Sequence, residues 1–208
     1  MPPTVDRLSG SEVQGWCLGK VIGNGADGVV YSAEGKGRSA AVKIFFPENL
    51  QKEEWSGARD RLELQLSLKG EKHHPNLVEV IDGGELEEYS TIYLVMEYVP
   101  GSSLDKICGK IPPEVVQQLI WQLASACKWL EDRGLAHRDI KPANIVISED
   151  FSQLTLLDLG VIHWLPTDGD GRLSGDEFVA TTASEPTWPG AKQGLESEVS
   201  PRILSEIQ

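Results

Sequence analysis

Eight consecutive residues, His137-Arg138-Asp139-Ile140-Lys141-Pro142-Ala143-Asn144, put a carboxylate, an ammonium and a carboxamide into one short loop. Asp139 and Asn144 stand five positions apart, a spacing that fits a loop doing two jobs at one phosphoryl-transfer centre. The Asp139 carboxylate can accept a hydroxyl proton, and the Asn144 amide oxygen can hold a metal ion. Lys141, two residues past Asp139, can stand beside a transferring phosphate and neutralise developing charge.

Such a centre needs further groups, and they occur in the required order. Gly23-Asn24-Gly25-Ala26-Asp27-Gly28-Val29-Val30 reads GxGxxGxV, a turn whose backbone can close over phosphates and aim its N–H groups at anionic oxygens. A dinucleotide-binding loop would open a helix, whereas an extended segment follows here. Fifteen residues after Gly28, Lys43 interrupts an otherwise apolar run, Ala41-Val42-Lys43. Packing gives no reason for an ammonium there. Contact with the α- and β-phosphates does, if a carboxylate on the following helix holds the lysine. Glu63 is the expected carboxylate, because it lies on the apolar-rich half of that helix, ahead of His74-Pro75-Asn76. Glu53 and Glu54 read as a solvated face. Asp158-Leu159-Gly160 follows the apolar run 154–157 and puts another carboxylate at a strand end, where a second metal contact is needed.

The elements that must position these groups run from strands to helices. Trp16–Gly23, Gly28–Ala33 and Ser39–Phe46 read as three short strands joined by Gly-rich turns. Gln51–Lys69 carries Trp55, Ala58, Leu62 and Leu66 at helical spacing. Leu77–Ile81 and Thr91–Tyr98 read as two more strands, with a turn at Asp82–Gly84. Pro112–Arg133 is the strongest helix, with Pro in its first turn and Gly134 as its stop. Its stripe of Val116, Leu119, Ile120, Leu123, Cys127 and Leu130 reads as a core face. Ile145–Ser148 and Leu154–Leu157 are expected to be short strands around a turn at Glu149–Asp150.

Composition narrows the function classes. The 208 residues carry a net charge of −13, which argues against sequence-independent binding of nucleic acid or of an anionic membrane. Cys17, Cys108 and Cys127 are widely spaced, without a CxxC pair, as expected of reduced thiols. No apolar leader and no 18-residue apolar run occurs, so a soluble, cytoplasmic protein is expected.

Taken in order, GNGADGVV, AVK, HRDIKPAN and DLG resemble the eukaryotic-like protein kinase family over roughly residues 16–181. The resemblance implies an α+β fold: a small, mostly antiparallel β N-lobe with one key helix, and a partial, mainly helical C-lobe. The implied division is an extension over 1–14, an N-lobe over 15–98, a partial C-lobe over 99–181 and a disordered tail over 182–208. It implies ATP and Mg²⁺ as cofactors and a protein with a Ser/Thr acceptor as partner. Lys43 and Glu63 would form the ion pair that sets the phosphates, Asp139 would be the catalytic base, and Asn144 and Asp158 would bind Mg²⁺. Lys141 resembles the lysine of serine/threonine kinases. Ile22, Gly23, Gly25, Gly28, Val30 and Ala41 would enclose the nucleotide, with Val146 as the adenine floor. Met96 takes the gatekeeper place and Glu97–Val99 the hinge. His137 is expected to pack and hydrogen-bond within its loop, and His73 and His74 to be structural or exposed. Arg138 would pair with a phosphorylated residue, with Thr167, Ser174 and Thr181 as candidate acceptors.

Two residues depart from the family pattern. Asp27 stands at the loop tip, where a carboxylate repels a triphosphate and weakens nucleotide binding. Leu159 replaces the usual Phe, a mild apolar exchange.

Beyond residue 158 other readings compete. Asp168–Phe178 resembles most of an EF-hand calcium loop, but Pro166 occupies the place of its first Asp ligand, and an acidic activation loop is the alternative. Ser184-Glu185-Pro186 is a poor substitute for an APE-type motif, and 22 residues follow it. The expectation is therefore a kinase truncated in its C-lobe, whose long helix exposes much of its apolar stripe to a partner. An active serine/threonine kinase leads. A catalytically weak fragment that binds nucleotide or a partner, and a small-molecule phosphotransferase, remain as alternatives.

Overall fold

The computed structural model describes residues 7–47, 50, 55–69, 74–159 and 162–164. Its first part is a curled antiparallel sheet of β1 (Glu12–Val13), β2 (Trp16–Asn24), β3 (Gly28–Gly35), β4 (Arg38–Phe45), β5 (Val80–Leu86) and β6 (Thr91–Glu97), in the order β1-β2-β3-β4-β6-β5. Alternation along these strands sends side chains to two different cores. On one side Trp16, Tyr31, Val42, Ile44 and Val95 pack together. Leu8 and Val13 join them, so the segment expected to be a mere extension contributes buried apolar side chains and the first strand of the sheet.

Helix α1 (Trp55–Ser67) lies against β5 on the other side, where Ala58 and Leu62 share a core with Leu94 and Met96. Here the structure corrects a reading. Asp82-Gly83-Gly84 does not turn; it lies inside β5. The glycines instead let neighbours approach, since a Cβ on Gly83 would stand 3.2 Å from Leu62 Cδ1 and 3.3 Å from Leu66 Cδ2. The chain reverses after β5 through a 3₁₀ turn at Glu87–Tyr89, closed by Ser90 with φ 49°. Asp82 accepts from Lys36 at 2.7 Å and Lys69 at 3.1 Å, tying the β3–β4 turn and the end of α1 to β5. The Lys36 hydrogen bond, followed by that of Lys69, holds the Asp82 carboxyl below the usual carboxylate range.

The second part is built on α3 (Pro113–Glu131), preceded by β7 (Ser102–Ser103) and the short α2 (Leu104–Ile107). It continues through β8 (Leu135–Ala136), β9 (Ile145–Ile147), β10 (Leu154–Leu156) and β11 (His163–Trp164). Leu119, Ala126 and Leu130 form the buried side of α3. The rest of the apolar stripe is not all core: Val116 and Ile120 are exposed, together with Trp121, the latter two at 60 and 61 %. β9 and β10 form a hairpin with Ile145 opposite Leu156 and Ile147 opposite Leu154. Its turn is held by Asp150, which accepts from the hydroxyls of Ser148 and Ser152 and from the Ser152 amide. These bonds, led by Ser148, lower the Asp150 pKa to about 2.

Among the described residues no helix is long and apolar enough to cross a membrane. Cys17, Cys108 and Cys127 are free thiols. The segments carrying the calcium-loop resemblance, the three candidate phospho-acceptors, His73, Gly160 and the expected tail lie outside the described residues.

Candidate active site

The glycine turn joins β2 to β3, with Gly23 opposite Val30 and Asn24 opposite Val29. The Gly25 amide donates to the Gly28 carbonyl at 3.1 Å, and the Asp27 carbonyl accepts from Phe46 N at 2.9 Å. Gly28 is required by close packing, because a Cβ there would lie 2.2 Å from the Ile44 carbonyl oxygen. Gly25 differs: nothing lies within 4 Å of its Cβ position, so its bare backbone faces open space. Asp27 is exposed at this turn.

Lys43 sits in the middle of β4 and is buried despite its charge. Burial of an ammonium demands a partner. It finds Asp158, donating to Oδ1 at 2.9 Å and Oδ2 at 3.0 Å, and its Nζ also lies 4.9 Å from the Phe45 ring centroid. Glu63, the carboxylate expected from the helix, is exposed on α1, and among the described side chains of α1 the buried polar one is Gln65. Glu63 therefore does not make the expected ion pair in this arrangement.

The loop between β8 and β9 brings the other expected groups together. Asp139 Oδ2 accepts from Lys141 Nζ at 2.6 Å and from Asn144 Nδ2 at 2.8 Å, and Asn144 Nδ2 also reaches the Asp139 carbonyl at 2.9 Å. His137 packs beneath the loop. It accepts from the Asp139 amide through Nδ1 at 3.3 Å, and its Nε2 donates to the Leu157 carbonyl at 2.8 Å. That pattern requires a neutral ring, and burial pushes the His137 pKa down accordingly. The Leu157 amide in turn donates to the Asn144 carbonyl at 2.7 Å, so the β9–β10 hairpin carries Asn144 and Asp158 into one neighbourhood. Arg138 and Asp158 both have left-handed backbones, with φ of 62° and 55°. Leu159, just after Asp158, is buried in the core.

Two supporting residues escaped sequence reasoning. Asn76 Nδ2 donates to the Leu154 carbonyl at 2.8 Å and to Gln122 Oε1 at 3.1 Å, and Gln122 Oε1 also accepts from the Leu154 amide at 2.6 Å. Through them α3 and the segment after α1 grip the hairpin that ends at Asp158. The sequence signal was slight: a polar Gln122 inside an apolar helix, and an Asn following His74-Pro75.

The expected adenine enclosure falls on β2, β3, β4, β6 and β9. Ala41, Met96 and Val146 are buried, Val30, Glu97 and Val99 half-buried, and Ile22 exposed. Ala41 pairs directly with Met96, and Glu97 holds Glu79 through both backbone and side chain.

The polar groups suit a hard cation bound through phosphates. Asp158 and Asn144 offer oxygen donors, and the Asn144 amide nitrogen is already committed to Asp139. Among the described residues no cluster of three His, Cys, Asp or Glu forms. A magnesium ion commonly uses one or two protein oxygens and completes its shell with phosphate and water.

Comparison with known proteins identifies the family. Residues 16–183 match the protein kinase domain family. The chain is 31 % identical over 187 residues to a serine/threonine-protein kinase, pkn2, of Myxococcus xanthus, covering 87 % of this chain and 22 % of that protein. It is 32 % identical over 148 residues to CBL-interacting serine/threonine-protein kinase 19 of Arabidopsis thaliana, covering 69 % of this chain and 29 % of that one. Mitogen-activated protein kinase kinase kinase 3 of the same plant is 32 % identical over 174 residues, covering 78 % and 26 %. The chain thus spans less than a third of the length of each of these three relatives.

Proposed function

The chain belongs to the protein kinase family, and from that premise we propose that it transfers the γ-phosphoryl group of ATP to a serine or threonine hydroxyl of a protein. Asp139 accepts the hydroxyl proton as the oxygen attacks the γ-phosphorus. The bond from that phosphorus to the β-phosphate oxygen breaks, and ADP leaves. Lys141 neutralises charge on the transferring group, and Lys43 steadies the α- and β-phosphates. Asn144 and Asp158 are the residues that would hold Mg²⁺, which would supply neutralisation of the phosphate charge. The glycine turn offers backbone N–H groups to the phosphates, and Ala41, Met96 and Val146 form apolar walls for the adenine, with Ile22 and Val30 at its entrance and Glu97–Val99 at its edge. A protein of this kind would work in the cytoplasm.

The observation that carries the reading is the convergence on one carboxylate: Lys141 and Asn144 both bind Asp139 Oδ2, at 2.6 and 2.8 Å. A proton acceptor, a phosphate-neutralising cation and a metal-binding amide are thereby held in one loop. The serine/threonine assignment is supported by Lys141 and by the relatives' names. The test is phosphate transfer from labelled ATP with Mg²⁺ to a generic protein acceptor, with Asp139→Asn and Lys43→Met beside the wild type. Transfer by wild type alone is expected. Equal transfer by wild type and Asp139→Asn would remove the catalytic assignment, and nucleotide binding without transfer in the wild type would favour a binding protein.

A further inference from the structure

Among the described side chains of helix α1 one polar group is buried, and its placement follows from strand register. Ala58, Leu62 and Gln65 lie on one helical face, and Gln65 is only 2 % exposed. Leu62 and Leu66 sit over Gly83. Gly83 pairs with Leu94, and Leu94 pairs with Lys43. Directly opposed residues of antiparallel strands put their side chains on the same side of the sheet. Lys43 therefore projects from the face that α1 covers. Gln65 Nε2 donates to the Arg61 carbonyl at 3.2 Å, while its buried Oε1 has no hydrogen-bond partner. A buried acceptor left unmade is costly and calls for a donor that arrives in another state.

We infer that Gln65 is a positioning residue for Lys43. When Asp158 turns its oxygens to a metal ion, the Lys43 ammonium loses the two acceptors it holds at 2.9 and 3.0 Å. Gln65 Oε1 then receives it, through a neutral hydrogen bond in place of the ion pair that Glu63 was expected to make. This inference rests on the nucleotide-binding site proposed above.

The experiment measures equilibrium binding of a non-hydrolysable ATP analogue with Mg²⁺ to the full chain. It compares wild type, Gln65→Leu and Gln65→Glu, each with Lys43 intact and with Lys43→Met. Thermal denaturation checks that each variant is folded. With Lys43 present, Gln65→Leu should weaken binding about tenfold, the value of one hydrogen bond to a charged group. With Lys43→Met, Gln65→Leu should change nothing further. Gln65→Glu, which supplies an alternative acceptor, should bind at least as tightly as wild type when Lys43 is intact. Combined with Lys43→Met it should bind more weakly, because its carboxylate is then unpaired. Equal losses in both Lys43 backgrounds would assign Gln65 to packing alone and overturn the inference, as would undiminished binding by folded Gln65→Leu. If Gln65→Leu does not fold, the sign reversal of Gln65→Glu decides the matter. Wild type that binds no nucleotide overturns the site itself, an outcome distinct from a bound wild type indifferent to residue 65.

Discussion

Lys43 and Asp158, 115 residues apart in sequence, meet through both carboxylate oxygens at 2.9 and 3.0 Å. Their side chains are 8 and 33 % exposed, so the lysine is the more deeply committed partner. Removing Asp158 strands a buried ammonium, whereas removing Lys43 leaves a carboxylate that water can reach. Asp158→Ala should therefore destabilise by about 2 kcal/mol, below the range for fully buried pairs. Lys43→Met should cost less. Urea unfolding of both single variants and the double variant measures the coupling.

Lys141 separates function from stability. Its ion pair with Asp139 is exposed, with side-chain exposures of 52 and 33 %. Such pairs contribute about 0–1 kcal/mol. Lys141→Ala should leave the unfolding midpoint within error of wild type while lowering turnover about a hundredfold, a loss on the scale of one transition-state charge contact. A parallel fall in stability and turnover would contradict this.

The exposed Asp27 at the glycine turn places a negative charge beside the expected phosphates. Asp27→Asn should tighten Mg-nucleotide binding severalfold, as the energy between exposed charges is about 1 kcal/mol at contact distance in water. The gain should shrink with added salt, since screening acts on this repulsion. Titrations at low and high ionic strength compare the two proteins.

His137 imposes a pH dependence on folding. Its folded pKa lies below the ordinary 6.5, because burial disfavours the charged ring. Below pH 6.5 the unfolded chain then binds more protons at this residue than the folded one, so its contribution is complete above that pH and declines as pH falls toward the folded pKa. The unfolding midpoint should drop between about pH 7.5 and about pH 5.5, an interval that brackets the ordinary histidine value. His137→Gln should be less stable at neutral pH and flatter over the same interval.

Gly83 tests the seat of α1. Gly83→Val would press against the Tyr93 carbonyl, Leu62 and Leu66, which lie 3.0 to 3.3 Å from its Cβ position. Overpacking of this kind costs about 1–3 kcal/mol. A destabilised protein with weakened nucleotide binding is expected in calorimetry and titration.

Much of the fold was legible because its signals are local. β3 and β4 begin and end within two residues of their expected bounds, and β9 and β10 flank the expected turn at Glu149–Asp150. The loop from His137 to Asn144 was legible because its chemistry is contiguous. Asp82-Gly83-Gly84 misled because turn composition and close packing call for the same residue. Glu63 misled for a different reason. Its place on the apolar-rich half of the helix does not fix its face, and helical phase puts position 65, seven after Ala58 and three after Leu62, on the buried one. On α3 the apolar residues were too numerous for one face, so Ile120 and Trp121 fall outside the buried one. Nothing local announces Asn76 or Gln122, whose partners lie 78 and 32 residues away.

The backbone of Asp158, at φ 55°, restricts which residues that position tolerates. A left-handed conformation is taken readily by Gly and tolerably by Asn and Asp, while β-branched residues are excluded. Saturation of codon 158 should therefore sort variants twice. Selection for folded protein ranks Asp first and Asn and Gly next, since these two keep the handedness but leave the Lys43 ammonium without its carboxylate, and selection for phosphate transfer retains Asp alone. Aspartate is where the two lists meet, since it combines the handedness the chain demands with the charge Lys43 demands.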